Sequence, residues 1–281
     1  MSMTTSQDGT AIAFEKSGNG PAVILVDGAL CYRKLGPMGP IARELASGFT
    51  VFTYDRRGRG ESGDTAPYAV EREVDDIEAL IEVAGGSAFL YGASSGAALA
   101  LAAASRLEGI RKLALYEAPF IVDDSQAPQP ADYPSKMSGF TAADRRGDAV
   151  KLFMKAVGVP AIVVAMMPLM PDWSKLKAAA HTLPYDVAIM GDTRSGKPLP
   201  AERWAGVAIP TLVGVGGKSP LAMRNAMRAL VDVLPDAQLH VLGRETHMVK
   251  TKAIAPILAG FFSSREAFAE GAAGGQIPVS G

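Results

Sequence analysis

With 281 residues the chain is long for a minimal domain and short for two, so it predicts one large core carrying an insertion. Apolar residues make up 48%, charged residues 20%, and the net charge is −1, which removes any electrostatic basis for binding nucleic acid or an anionic membrane. The single cysteine, Cys31, excludes an intrachain disulfide, and MSMTTSQDGT lacks the basic and apolar regions of a secretory signal, so a cytoplasmic protein is expected.

Along the chain, short β-rich runs alternate with helical patterns. TAIAFEK (10–16) alternates polar and apolar residues, as an edge or hairpin strand does, whereas AVILV (22–26) is continuously apolar, as a strand buried on both faces should be. A helix is predicted near 37–46, then a strand in FTVFTYD (49–55) and a glycine-punctuated loop, RRGRGESG, whose basic patch (Arg56, Arg57, Arg59) is short and set among glycines and acids. VEREVDDIEALIEVA (70–84) places Val70, Val74, Ile77, Leu80, Ile81 and Ala84 on one helical stripe. A strand at 87–91, a small-residue helix at 95–106 and a strand at 111–117 follow. After a long interval come a strand at 209–216, a helix near 220–233, a strand at 238–243 and a helix near 252–263. Strands alternating with helices imply an α/β protein with a mostly parallel, doubly wound sheet. The interval 120–205, rich in Pro, Met and Ala with helical fragments at 141–157 and 160–168, reads as an inserted helical cap, because a structureless loop of that length has no place in a compact domain. The core is then 1–119 plus 206–263, and the tail from 264 to 281 is expected to be disordered. The longest apolar candidate for a membrane span, VGVPAIVVAMMPLMP, is short and broken by prolines.

Residues 92–96, Gly-Ala-Ser-Ser-Gly, lie between a buried strand and a helix. That context turns a weak G-x-S-x-G pattern into a specific one, a sharp turn presenting Ser94 as a nucleophile, with the Ser95 N–H aimed at an oxyanion. The alternative, Ser95 as an ordinary helix cap, fits the strand–turn–helix context less well. Together with AVILVDGAL, YDRRGRGES, PTLVGVGGKSP and RETHMV in the same order, this motif makes residues 8–263 resemble the α/β-hydrolase superfamily, specifically its cap-containing, esterase- and lipase-like serine hydrolases.

The resemblance calls for a histidine after the last strand. Of the three histidines, His181 falls in the cap and His240 inside a strand, which leaves His247 as the base. The family usually carries its acid in the loop after PTLVGVGG, where this chain has Ser219. Some members, haloalkane dehalogenases and certain lipases among them, carry it one strand earlier, and there this chain has Glu117. A carboxylate closing an apolar strand needs a partner, so the expected triad is Ser94–His247–Glu117. Asp27-Gly28-Ala29-Leu30 stands where relatives have His-Gly. The resemblance implies that Ala29 N–H joins Ser95 N–H in the oxyanion hole, with the Asp27 side chain turned away toward Arg56 or Arg57.

Leu30, Phe120 and Met248 flank these positions and are expected to line a substrate pocket. Met166, Met170 and Trp173 of the cap are divided evenly between pocket lining and the cap's own core. No cluster of Arg or Lys marks a carboxylate or phosphate substrate, so a small or medium apolar ester, thioester or lactone fits best. Tyr133 and Tyr185 resemble the tyrosines of epoxide hydrolases, whose chemistry needs an aspartate nucleophile. Three scattered histidines and one cysteine offer no metal-ligand spacing, and no G-x-G-x-x-G follows a strand, so neither metal nor cofactor is expected. The partner is a small-molecule substrate, with no nucleic acid and no membrane, and the chain a monomer or homodimer. Two further readings stay open on the same scaffold: a hydroxynitrile or C–C lyase, admitted by Asp27, and a ligand receptor without turnover, admitted by the displaced acid.

Overall fold

The computed structural model describes residues 1–264. The continuous apolar runs become the central parallel strands β3 (Ala22–Val26), β4 (Thr50–Tyr54), β5 (Ala88–Ala93), β6 (Ile110–Tyr116) and β7 (Thr211–Gly216). With β1 (Ser2–Thr5), β2 (Ala11–Ser17) and β8 (Ala237–Leu242) they form one eight-stranded sheet in the order β1-β2-β4-β3-β5-β6-β7-β8. β2 runs antiparallel to β4, and β1 folds back antiparallel along β2, so β1 rather than β2 is the edge. Four residues of unremarkable sequence, SMTT, gave no sign of this strand, which exists because β2 offers it an unpaired ladder.

Helices α1 (Met38–Leu45) and α10 (Thr251–Ser263) cover one face, packing Met38, Ile41, Ile254 and Leu258 on Val23, Leu25 and Tyr91. α2 (Val70–Val83), α3 (Ser95–Ala104) and α9 (Leu221–Val233) cover the other. α3 is apolar all round and almost wholly buried, because its small side chains let it lie directly against the sheet. On α2, the polar residues Glu73 and Asp76 are buried beside the apolar stripe.

Between β6 and β7 the chain forms the cap: α4 (Tyr133–Ala142), α5 (Arg146–Ala156), α6 (Ala161–Met166), α7 (Trp173–Ala179) and α8 (Leu183–Met190). The expected fragment at 141–157 is two helices, parted at Asp144, whose φ of 53° lies in the left-handed region. α7 and α8 carry no clear sequence stripe; α8 is held by packing on α3 and α4. Tyr133, Met137, Ala149, Val150, Met167 and Leu183 form the cap's core, and Leu30 of the sheet's carboxyl edge joins them. Apart from Ser264, the tail expected to be disordered lies outside the described residues. Among the described residues, no helix is long and apolar enough to cross a membrane.

Candidate active site

Ser94 sits between β5 and α3 with φ 57° and ψ −130°, a strained conformation for a residue with a side chain. The turn closes because its flanks are glycines. A Cβ on Gly92 would lie 2.3 Å from the Gly96 carbonyl oxygen, and one on Gly96 would lie 2.4 Å from that of Val26. The Ser94 N–H donates to the Tyr116 carbonyl (2.9 Å), which ties the turn to the end of β6, and the side chain keeps access to solvent.

Glu117, the residue after β6, is fully buried and also has a positive φ, 49°. Its Oε2 accepts from His247 Nδ1 at 2.9 Å. Its Oε1 accepts from the Gly216 N–H at 2.7 Å and the Ser219 hydroxyl at 2.5 Å. Ser219, in the loop after β7, thus donates to the carboxylate that follows the neighbouring strand β6. Because Glu117 accepts from Nδ1, Nε2 is the basic nitrogen of the neutral ring. The imidazole is 43% exposed, and Nε2 has no hydrogen-bond partner among the described residues.

On the opposite side, Gly28 packs against Ser94: a Cβ there would be 3.1 Å from Ser94 Cβ. Ala29 is half-buried and Leu30 has φ 62°, the third strained non-glycine residue around the site. This loop is held by the arginines of RRGRG, which are buried, not a surface patch. Arg59 Nη1 donates to the Gly28 carbonyl (2.6 Å) and Arg56 Nη1 to the Asp27 carbonyl (3.3 Å). Both also reach Asp186 of α8, Arg56 at 2.8 Å and Arg59 at 2.7 Å, and the Ser95 hydroxyl donates to the same carboxylate at 2.7 Å. Burial pushes the Asp186 carboxyl up, but Arg59, Arg56 and Ser95 outweigh it and hold it below the ordinary range. One cap carboxylate therefore connects the two stretches, 27–31 and 94–95, expected to supply oxyanion donors. Arg56 also forks onto Glu73 (2.7 and 2.8 Å) and Arg57 onto Asp76 (2.8 and 2.6 Å). Glu73, Asp76 and Asp186 were missed from the sequence; acids at i and i+3 on the buried side of a helix, with three arginines nearby, were the available signal.

Asp27 departs from expectation. Its side chain bonds neither Arg56, which takes its backbone carbonyl, nor Arg57, which faces Asp76 and Asp8. The carboxyl is packed against Gly36 and Cys31, and its Oδ1 is buried without a partner. Burial pushes it up to about 7, against the opposing pull of Arg59 and Arg56. The same burial pushes the Cys31 thiol up to about 12, the opposite of an activated nucleophile.

The pocket residues scatter. Leu30 meets the cap core. Phe120 is buried and stacks on Trp204 with ring centroids 5.9 Å apart. Met248, expected to line a pocket, is 82% exposed, and Met166 and Met170, divided between pocket lining and the cap's core, are 57% and 52% exposed, so neither belongs to the cap's buried core. Trp173 packs on Gly147 and lines a recess made of cap residues alone, Lys151 and Lys177 among them. Tyr185 donates to Asp64 and stacks on Tyr68. His181 lies against Ala178 and Asp64, and His240 is within β8. One charged residue had no sequence signal at all: Arg194, in the turn after α8, half-buried and without a carboxylate partner among the described residues. Among the described residues, no group of three or more His, Cys, Asp or Glu is placed to hold a metal ion.

Residues 18–249 match the sequence model of the Alpha/beta hydrolase family. The chain is similar to an alpha/beta hydrolase from Sphaerobacter thermophilus DSM 20745, with 50% identity and a TM-score of 0.86 over 93% of this chain and 100% of that one. A thermophilic esterase from Thermogutta terrifontis shares the fold at 21% identity and a TM-score of 0.65, covering 93% and 97% of the two chains. The uncharacterized hydrolase YraK of Bacillus subtilis (strain 168) is 33% identical over 102 residues, which span 35% of this chain and 37% of that relative.

Proposed function

The chain belongs to the alpha/beta hydrolase family, and from that premise we propose that it is a cofactor-free serine hydrolase of small or medium carboxylic esters, thioesters or lactones. The observation that carries this reading is the 2.9 Å pairing of His247 Nδ1 with buried Glu117, beside a serine held at φ 57°.

In the proposed reaction Ser94 Oγ attacks the carbonyl carbon and its proton passes to His247 Nε2. Glu117 orients the ring through Nδ1–H and balances the imidazolium. The Ala29 and Ser95 N–H groups donate to the oxyanion. Collapse expels the alcohol, thiol or ring oxygen, which takes the proton from His247, and leaves the acyl group on Ser94. Water, deprotonated by His247, then releases the acid. The strained backbone at Leu30, Ser94 and Glu117 supports this reading, since strain of that kind persists where the surroundings over-determine a working geometry.

The test is intact mass after exposure to an alkyl fluorophosphonate, alongside ester hydrolysis. A single adduct mapped to Ser94, with label and turnover lost in Ser94→Ala, is expected. A folded wild type that takes no label, or a Ser94→Ala protein that still hydrolyses esters, sinks the proposal.

A further inference from the structure

Arg56, Arg57 and Arg59 are fully buried, and each meets a carboxylate. Arg194 does not. Its guanidinium makes no hydrogen bond or ion pair among the described residues, and its Nε is sealed from solvent without a partner. Burial pushes this guanidinium down from its ordinary value, and the Tyr133 phenol is the titratable group set against it. The residue nevertheless keeps accessible surface. The side chain is thus desolvated while the residue still reaches solvent.

The position of Arg194 follows from the backbone. Arg194 lies in a turn clamped to the carboxyl edge of the sheet. The Ile121 N–H donates to the Thr193 carbonyl (2.9 Å), the Gly196 N–H donates to the Ile121 carbonyl (2.9 Å), and the Gln129 N–H donates to the Arg194 carbonyl (3.0 Å). Ile121 lies just beyond Glu117 in the chain. Tyr133 packs in the same cluster as Leu30 and Ala29 of the oxyanion loop, and its phenol also feels Asp186, which holds the Ser95 hydroxyl.

We propose that Arg194 receives a carboxylate at the far end of the substrate, so that the enzyme acts on esters, thioesters or lactones that also carry a free carboxylate. The reaction rests on the function proposed above; the anion contact does not. A planar guanidinium fork matches the two oxygens of one carboxylate. With no second cation acting on it among the described residues, a phosphate dianion would stay half-neutralised. The arriving carboxylate supplies the partner that the described residues withhold from this arginine.

The experiment compares para-nitrophenyl hydrogen glutarate with para-nitrophenyl valerate, esters of equal chain length that end in a carboxylate and a methyl group. The wild type should favour the anionic ester in kcat/KM by about tenfold or more, chiefly through KM. Arg194→Met should erase that ratio, and Arg194→Lys should restore part of it. Because Arg194→Met removes an unpaired buried charge, its Tm should equal or exceed that of the wild type. Equal kcat/KM for the two esters, or a ratio unchanged in Arg194→Met, overturns the proposal. Calorimetric binding of glutarate to Ser94→Ala reads the anion contact without turnover. If both esters stay intact and Ser94 takes no label, yet glutarate binds and Arg194→Met weakens it about tenfold, the anion site stands and the hydrolytic reading falls. If esters are hydrolysed without preference and glutarate does not bind, the hydrolase stands and the anion site falls.

Discussion

Two buried charged regions meet at the cap. In one, Arg56 and Arg59 share Asp186, Arg56 also forks onto Glu73, and nearly every donor finds an oxygen of the protein itself. In the other, Arg194 is held half-buried with no carboxylate partner among the described residues. Removing a charge from water costs several kcal/mol whichever purpose it serves, so the difference lies in where compensation comes from. The first region is compensated from within and fixes the position of loop and cap. The second is left open to something outside the chain. Glu117 and Asp27 repeat the contrast among carboxyls: Glu117 has three partners, Asp27 has an Oδ1 with none.

The sharpest way to probe the paired class is Glu117→Gln. The amide cannot balance an imidazolium and favours the wrong tautomer of His247, so kcat for ester hydrolysis should drop by about 10³-fold or more. A steady-state assay that finds kcat within a factor of a few of wild type would remove Glu117 from the triad.

Next in size is Asp186→Ala, which leaves Arg56 and Arg59 with one carboxylate between them and Ser95 without an acceptor. A loss of about 3–5 kcal/mol, read as a Tm lower by about 10 °C, is expected. A change of under a degree or two would show that the network is not an internally compensated unit.

The smallest effect concerns Asp27 and depends on pH. Its carboxyl stays neutral in the folded state up to about 7, whereas in the unfolded chain it ionises near about 4. Between those values the unfolded state gives up its proton first, so stability falls as pH rises through the window. Asp27→Asn escapes that fall. Its Tm should match wild type near pH 4 and exceed it by about 5 °C at pH 8. Parallel Tm curves for the two proteins from pH 4 to 8 would show that the carboxyl is paired after all.

How much of this was legible before the structure differs from element to element. The central strands were readable because a parallel strand buried on both faces has to be continuously apolar, as AVILV is. Ser94 and His247 were readable as candidates because a nucleophile turn needs glycines at fixed offsets and the family keeps its order along the chain. Glu117 was readable only as a charge out of place at the end of an apolar strand. β1 was not, since an edge strand of four residues takes its structure from the neighbour it pairs with. Nor were the exposed positions of Met166, Met170 and Met248, because the side that a residue at the end of a short helix or in a loop presents depends on what the surrounding chain packs against.

By itself, then, the sequence determined the alternation of strands and helices, the turn at Gly92–Gly96 and the candidate nucleophile and base, since each rests on local periodicity or spacing. Tertiary structure alone decided which buried charges are matched. Arg56 and Asp186 are 130 residues apart in the chain, and nothing near either one names the other. The same holds for Arg194: TRSGK looks like any surface turn until the fold carries it to the sheet's carboxyl edge and leaves its charge without an answer.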